Sequence, residues 1–449
     1  MTAQTTAERY DLVIDGARRP ASEGGRFETV DPATGAAFAE VARGTAADID
    51  LAVAAARRAL SDWRGMAPQE RGRLLGALAD RLRQEQDRLA ALETRDNGKP
   101  ISHARRDVET CARYFEYYAG IADKVHGESI PLTDSYVDYT VREPLGVTAQ
   151  IIPWNLPTNI FGRSVAPALA TGNVAVVKPA EQTPVTAVEI AALASEVGLP
   201  NGVLNVVPGF GTEAGARLAA HPDVDGVSFT GSVPTGIEVA QGAVENVTNV
   251  HLELGGKSPN VVFPDAEMDS AIASTVTAIF ANAGQVCSAG SRLLLHEEIS
   301  DAFLERLVTA VEALSVGPGV EDHDMGPLVS ATQFETVTEY LAVGREEAGE
   351  PLVGGDSLER EGYFVEPTIF TGVDSSMRIA QEEIFGPVLA VMEFADEAEA
   401  LALANDTAFG LVAGVHTTDM GRAHRFARDA EAGQVYINEW FAGGVETPF

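Results

Sequence analysis

Residues 147–157 read VTAQIIPWNLP: an apolar run that stops at Pro153, followed by Trp154, Asn155, Leu156 and Pro157. A short apolar run closed by proline is the pattern of a strand covered on both faces. The same run-and-stop recurs at 174–177, 203–207, 227–229 and 250–254, with helical patterns between. Strands alternating with helices build a parallel sheet, so 147–254 is expected to form a doubly wound α/β domain.

Outward from this stretch the character changes. A β-like start at 10–15 precedes helical periodicity over 46–95, as in Ile49, Val53, Ala56 and Leu60. Around Tyr136, Val137, Tyr139, Thr140 and Val141 the chain becomes β-rich between Pro131 and Pro144, which predicts a hairpin arm. From 258 onward the α/β alternation resumes, with strands expected near 260–263, 293–296, 388–393 and 434–437. Helices are expected near 267–283, 300–314 and 397–405. No internal repeat of 20 to 50 residues is visible.

The 449 residues leave room for two or three domains, and 45% hydrophobic with 22% charged residues is ordinary for a globular protein. No apolar run approaches the roughly 18 residues of a membrane span, and 1–10 lack the pattern of a secretory signal. Two distant cysteines, Cys111 and Cys287, make neither a disulfide framework nor a metal cluster, so no metal is expected and a reducing cytoplasm is the default. Sixty-six acidic against 32 basic residues give a net charge of −34, and only four residues are lysine. Such a surface repels itself in dilute buffer and is relieved at about 1 M salt, where screening acts over about 3 Å. It suits a salt-rich cytoplasm or, alternatively, an acidic, GC-rich proteome with a codon-driven preference for arginine. Nucleic acid and anionic membrane are poor partners because no basic stripe is present.

Three segments carry chemistry. In 282–292, NAGQVCSAGSR, Cys287 lies among small residues that leave its sulfur reachable, although a lone cysteine is more commonly a buried small hydrophobe. In 251–260, HLELGGKSPN, Glu253 ends a strand before a glycine pair, where open α/β sheets bind ligands and a carboxylate is placed to take a proton. Alone it would read as a solvated loop glutamate. Asn155 follows another strand and offers an amide donor for an oxyanion, although asparagine beside proline is also an ordinary turn residue.

Together these segments resemble the NAD(P)-dependent aldehyde dehydrogenase superfamily, of the hydrolytic, non-acylating type. Further matches are KPAEQTP at 178–184, FTGS at 229–232 and QEEIFGPV at 381–388, and the likeness runs from about residue 10 to the last residue. The resemblance implies an enzyme with two doubly wound α/β domains. Residues 1–125 and 143–254 would form a Rossmann-like NAD-binding domain, 126–142 an oligomerisation hairpin and 255–449 a catalytic domain.

It also implies roles for individual residues. Cys287 matches the nucleophile, Glu253 the general base and Asn155 the oxyanion donor, for oxidation of an aldehyde through a thiohemiacetal and a thioester. Lys178 and Glu181 match the adenosine-ribose clamp. A carboxylate there repels a 2′-phosphate, so NAD is the expected cofactor. Gly231 and Ser232 match the pyrophosphate contact, Glu383 and Phe385 the residues near the nicotinamide ribose, and Ile152 and Trp154 further cofactor contacts. Gly209, Gly211 and Gly215 are reminiscent of a dinucleotide fingerprint, a weak signal by itself. Arg163 stands where several relatives acting on semialdehydes carry arginine, which implies recognition of a substrate carboxylate. Cys111, near Tyr114 and Tyr118, reads as structural.

Family members usually continue past the position of Phe449 with a helix and a strand that pairs between subunits. The expectation is therefore a truncated chain or a different assembly, with a homodimer or homotetramer where that tail is present. Three competing readings remain: a CoA-acylating relative, disfavoured because that type generally lacks a base at the Glu253 position; a non-catalytic descendant that keeps the fold; and, more weakly, a stand-alone esterase, since acyl-thioester hydrolysis is half of the implied cycle.

Overall fold

The computed structural model describes residues 8–449, which divide into two compact units. The first takes the described residues through Val30, Ala37–Asp96 and Ala104–Glu253. The second takes Asp31–Ala36, Asn97–His103 and Leu254–Phe449.

In the first unit the strands are β1 (Glu8–Tyr10), β2 (Leu12–Ile14), β3 (Ala17–Arg19), β4 (Arg26–Asp31), β5 (Ala36–Ala42), β6 (Ser129–Ile130), β7 (Asp138–Tyr139), β8 (Val147–Ile152), β9 (Val174–Pro179), β10 (Leu204–Val206), β11 (Gly226–Thr230) and β12 (Asn249–Glu253). A seven-stranded sheet has the order β12-β11-β8-β9-β10-β2-β3. Its first five strands are parallel, and β2 and β3 add an antiparallel edge. All six residues of β8 and of β9 are buried, as a strand covered on both faces requires.

The helices of this unit are α1 (Ala46–Gly65), α2 (Pro68–Gln84), α3 (Gln86–Asn97), α4 (Ile101–Ile121), α5 (Pro157–Ala170), α6 (Val185–Glu196), α7 (Ala216–Ala219) and α8 (Val233–Val244). The path β8-α5-β9-α6-β10 steps one way across the sheet, and β11 then returns to the other side of β8. That reversal makes the carboxyl ends of β8 and β11 the switch point where such sheets bind ligands. The anticipated hairpin arm is shorter than its β-rich sequence, since only β6 and β7 pair, over two residues each. It carries exposed Tyr136, Val137, Tyr139 and Val141. Strands β1, β5 and β4 form a separate small sheet that the sequence pattern did not reveal.

The second unit has β13 (Pro259–Val262), β14 (Arg292–His296), β15 (Thr368–Phe370), β16 (Val388–Phe394), β17 (Val412–His416) and β18 (Gln434–Ile437), in one parallel sheet of order β15-β16-β14-β13-β17-β18. Its helices are α9 (Met268–Phe280), α10 (Ser300–Glu312), α11 (Ala331–Ala348), α12 (Arg378–Gln381), α13 (Glu397–Asn405) and α14 (Met420–Asp429). Val261, Leu294, Phe303, Ile369, Val391 and Phe394 lie in its continuous apolar core. Two strands, β15 and β17, were not anticipated. In β17 the central Gly414 is required because the Trp440 ring fills the space of a β-carbon. The helix expected over 267–283 stops at Phe280, and Asn282 and Ala283 turn left-handed at φ 52° and 54°. Among the described residues no helix is long and apolar enough to cross a membrane.

Arg292 begins β14 with its side chain wholly buried. Its guanidinium donates to the carbonyls of Lys257 (2.8 Å), Leu403 (2.8 Å) and Ala404 (2.7 Å), tying β13 to the end of α13. Burial pulls its pKa down to about 10, and the nearby Asp406 opposes the shift. Replacing it with methionine removes these donors, at roughly 1–3 kcal/mol for each stranded carbonyl. Arg292→Met should therefore lower the melting temperature by roughly 10 °C, at about 2–4 °C per kcal/mol. Calorimetry checks this, and an unchanged melting temperature would show that the carbonyls find other donors.

Candidate active site

In the first unit the singled-out residues gather at the carboxyl ends of the parallel strands. Strand register sets Ile151 beside both Lys178 and Phe229, Ile152 beside Pro179, and Thr230 beside Glu253. Lys178, the penultimate residue of β9, is almost fully buried, and its Nζ lies 2.9 Å from Oε2 of Glu181, whose side chain keeps 31% exposure. The buried ammonium thus orients a carboxylate that remains open to a ligand. Gly215 packs against the Lys178 stem, where a β-carbon would lie 3.9 Å from Cδ. Gly211 and Gly215 bound a single π-helical turn that leads into α7, a less regular start than a dinucleotide fingerprint implies.

At the end of β11, Ser232 caps α8 with Oγ accepting from the Thr235 N–H at 3.4 Å. Gly231 is held by its N–H to the Glu253 carbonyl at 3.0 Å. A side chain at Gly231 would collide with the Phe229 ring at 2.5 Å. A helix start with small residues at its entrance leaves N–H groups for an anion. The Glu253 side chain is 14% exposed, with Oε1 3.2 Å from Nε2 of the exposed His251. Asn155 is buried at the end of the β8 turn, just before α5. Arg163, on α5, faces Tyr114 of α4. Burial raises the Tyr114 phenol's pKa, and the Arg163 charge opposes that rise. Cys111 is buried where α4 crosses Gly162 of α5, and burial pushes its thiol well above the usual range.

In the second unit Cys287 is a partly exposed cysteine on the loop after α9. Asn282, Ala283 and Gly284 take positive φ in succession, at 52°, 54° and 72°. A β-carbon on Gly284 would run into the Gly386 carbonyl. On the other side, a β-carbon on Gly256 would lie 2.5 Å from the Cys287 carbonyl. The Ser288 carbonyl accepts from Trp440 Nε1 at 3.0 Å, and Gly290 N–H donates to the Ala278 carbonyl at 3.0 Å. The cysteine therefore stands on a turn gripped from three directions.

Glu383 and Phe385 lie on the loop that meets Gly284. Oε1 of Glu383 accepts the Gly256 N–H at 3.0 Å, and a β-carbon on Gly255 would displace that carboxylate. Burial raises the Glu383 carboxyl, against the Gly256 N–H and the Lys257 charge. Phe385 sits at φ 57°, and its carbonyl accepts from Gln333 Nε2 at 2.9 Å. Lys257 lies beneath with no hydrogen bond to Nζ among the described residues, and burial and Arg292 draw its pKa down to about 7. Among the described residues no group of three or more histidine, cysteine, aspartate or glutamate side chains is placed to hold a metal.

The aldehyde dehydrogenase family model matches residues 19–449. The chain belongs to the aldehyde dehydrogenase family.

It is 45% identical over 440 residues to a hydroxyisobutyraldehyde dehydrogenase of Mycolicibacterium austroafricanum, covering 97% of this chain and 87% of that one. It is 46% identical over 431 residues to the human mitochondrial aldehyde dehydrogenase, covering 94% and 83%. Among solved structures it superposes on the NAD⁺ complex of a Bacillus cereus aldehyde dehydrogenase with TM-score 0.97 and 42% identity, over 98% of this chain and 91% of that one. For a Staphylococcus aureus betaine aldehyde dehydrogenase in complex with NAD⁺ the values are 0.95, 38%, 98% and 89%.

Sequence reading did not single out the residues that hold this family's motifs in shape: Arg292, Gln333, Trp440 and the packing reason for Gly255 and Gly256. The Asn-Ala-Gly run at 282–284 did carry a signal, because asparagine and glycine tolerate the left-handed conformation that ends helices. Gly284→Ala places a β-carbon against the Gly386 carbonyl in an already left-handed residue. The variant should lose at least about 2 kcal/mol of stability and most of its turnover. Denaturant melts and steady-state rates measure both, and a fully active, equally stable variant would contradict the packing.

Proposed function

We propose that the chain oxidises an aldehyde to a carboxylic acid, using NAD⁺ as the hydride acceptor and a thioester on Cys287 that Glu253-activated water hydrolyses. The observation that carries this reading is the Cys287 loop, a partly exposed thiol on a glycine-gripped turn beside the Glu383 loop.

The residues present fit a dinucleotide. Glu181 offers a carboxylate to a ribose diol and would repel a 2′-phosphate, which favours NAD⁺ over its phosphorylated form. Lys178, Gly211, Gly215, Ile152 and Trp154 would border the adenosine half, Gly231 and Ser232 the pyrophosphate, and Glu383 and Phe385 the nicotinamide ribose. Residues 1–125 and 143–254 are accordingly assigned to cofactor binding and 255–449 to catalysis. When bound, the dinucleotide supplies the two-electron acceptor for the hydride that leaves the substrate carbon.

The chain's own residues do the rest. The Cys287 sulfur adds to the aldehyde carbon, and the Asn155 amide with the Cys287 backbone N–H holds the oxyanion. Losing one donor of this kind costs about 10²–10³ in rate. Loss of hydride leaves an acyl group on sulfur. Glu253 then takes a proton from water, the water oxygen bonds to the acyl carbon, the carbon–sulfur bond breaks, and carboxylate departs. A base for water at Glu253 favours hydrolysis over transfer to CoA.

Of the four relatives named, the hydroxyisobutyraldehyde and betaine aldehyde dehydrogenases act on different aldehydes by their names, so family membership alone does not set the substrate. Arg163 on α5 points to an aldehyde with a distal carboxylate, which a guanidinium binds in bidentate fashion. The exposed Tyr136, Val137, Tyr139 and Val141 of the arm are proposed to pack against a second copy of the chain, since a bare edge of this kind is otherwise an aggregation hazard.

Cys287→Ser should lower aldehyde-dependent NADH formation by at least about 10³-fold, because an alcohol is a far weaker nucleophile than a thiolate. Retained turnover in that variant would contradict the thioester route. Arg163→Ala should raise KM for succinic semialdehyde roughly tenfold or more while sparing propanal. Equal changes for both aldehydes would remove the carboxylate reading and leave the oxidation intact.

A further inference from the structure

Asp96, the penultimate residue of α3, is an ionisable side chain in the core of the first unit, 1% exposed. Its Oδ1 accepts from Thr29 Oγ1 of β4 at 2.6 Å, and its Oδ2 accepts the Val185 N–H that opens α6 at 3.0 Å. Thr29 Oγ1 also lies 3.3 Å from the Gln182 carbonyl, so one buried hydroxyl is shared between Asp96 and the residue after Glu181. Only residues 180–184 separate β9 from α6, so Asp96 holds that short connection at its middle, through Thr29, and directly where it enters α6. The same loop reaches the end of β8, because Thr183 Oγ1 donates to the Trp154 carbonyl at 3.2 Å.

Holding a carboxyl in this place is unfavourable. Burial pushes its pKa up to about 7, against the Thr29 and Val185 hydrogen bonds that favour the charged form. A carboxylate at a helix start is stabilising in its own right, but that role does not require the second arm through Thr29 to Gln182. Gln182 is the immediate neighbour of Glu181, so a shift of its carbonyl moves the ribose-binding carboxylate.

We propose that Asp96 is a positioning residue for dinucleotide binding, which acts with Thr29 to hold the 180–185 connection so that Glu181 meets the adenosine ribose. The inference rests on the assignment of Lys178 and Glu181 as the ribose clamp. It predicts that the Asp96 and Thr29 side chains influence cofactor affinity without touching cofactor.

Three substitutions test it in the full chain: Thr29→Val, which keeps shape and removes the hydroxyl; Thr29→Ser, which keeps the hydroxyl; and Asp96→Asn. NADH affinity is read by fluorescence titration, alongside KM for NAD⁺, KM for aldehyde and kcat. Thr29→Val and Asp96→Asn should weaken NADH binding about threefold to tenfold, the value of one or two buried hydrogen bonds. KM for NAD⁺ should rise in step, kcat at saturating NAD⁺ should stay within about twofold, and Thr29→Ser should restore affinity. In a Glu181→Gln background Thr29→Val should add nothing further, because the residue it positions no longer acts.

A lower melting temperature with unchanged NADH affinity would show that Asp96 is merely structural and would overturn the proposal. So would full additivity with Glu181→Gln. If Glu181→Gln alone leaves NADH affinity unchanged, the ribose clamp itself fails and this inference falls with it. Should Asp96→Asn fail to fold, the Thr29 pair decides the matter.

Discussion

Backbone-to-backbone contact between Gly284 and Gly386 is the constraint on which the second unit's chemistry depends. The two loops approach so closely that a β-carbon on Gly284 would meet the Gly386 carbonyl, while one on Gly386 would meet the Val337 side chain. That approach is possible only because α9 stops at Phe280 and the chain turns left-handed through Asn282, Ala283 and Gly284. The same turn brings Cys287 out of the helix and onto a loop whose carbonyl presses on Gly256. Glu383 in turn fills the space over Gly255 and takes the Gly256 N–H. Three glycines thus replace what would otherwise be three side chains and let the Cys287, Glu383 and Lys257 segments meet with little freedom to move. Positional precision of this kind is what nucleophilic catalysis needs, since small misplacement of a reacting atom is expensive in rate.

The first unit solves a different problem by different means. Its five parallel strands end on one edge, and the reversal between β8 and β11 opens that edge to a ligand. What remains is to fix short loops that have almost no core of their own. Buried polar groups do this: Lys178 orients Glu181, the Gly231 N–H holds the end of β12, and Asp96 reaches the connection after β9 through two arms. Each such group is unfavourable to bury unless it is hydrogen-bonded, so their presence at the strand ends concentrates polar order where a cofactor would bind.

Much of this architecture was visible in the amino-acid sequence wherever the determining interactions are local. Strand β8 was legible because covering on both faces makes VTAQII mostly apolar, and α13 because its pattern and flanks agree. Strand β17 was not, because VAGVH has a central glycine whose reason is the ring of Trp440, distant in sequence. The helix expected to run to 283 ends early because Gly386, about a hundred residues away, demands the turn. Arg292 and Asp96 likewise read as ordinary charged residues until their partners at 403–404 and at 29 and 185 are brought beside them. The motif residues themselves could be named from family likeness, whereas the groups that hold them in shape could not.

The central claim is a covalent acyl group on one particular sulfur. Its most direct test is mass spectrometry of the Glu253→Gln chain after mixing with aldehyde and NAD⁺, since loss of the base should let the acyl group accumulate. The account predicts a burst of about one NADH per competent chain and an acyl mass on the peptide that contains Cys287. An unmodified Cys287 despite NADH formation, or an acyl group carried by Cys111 instead, would contradict it.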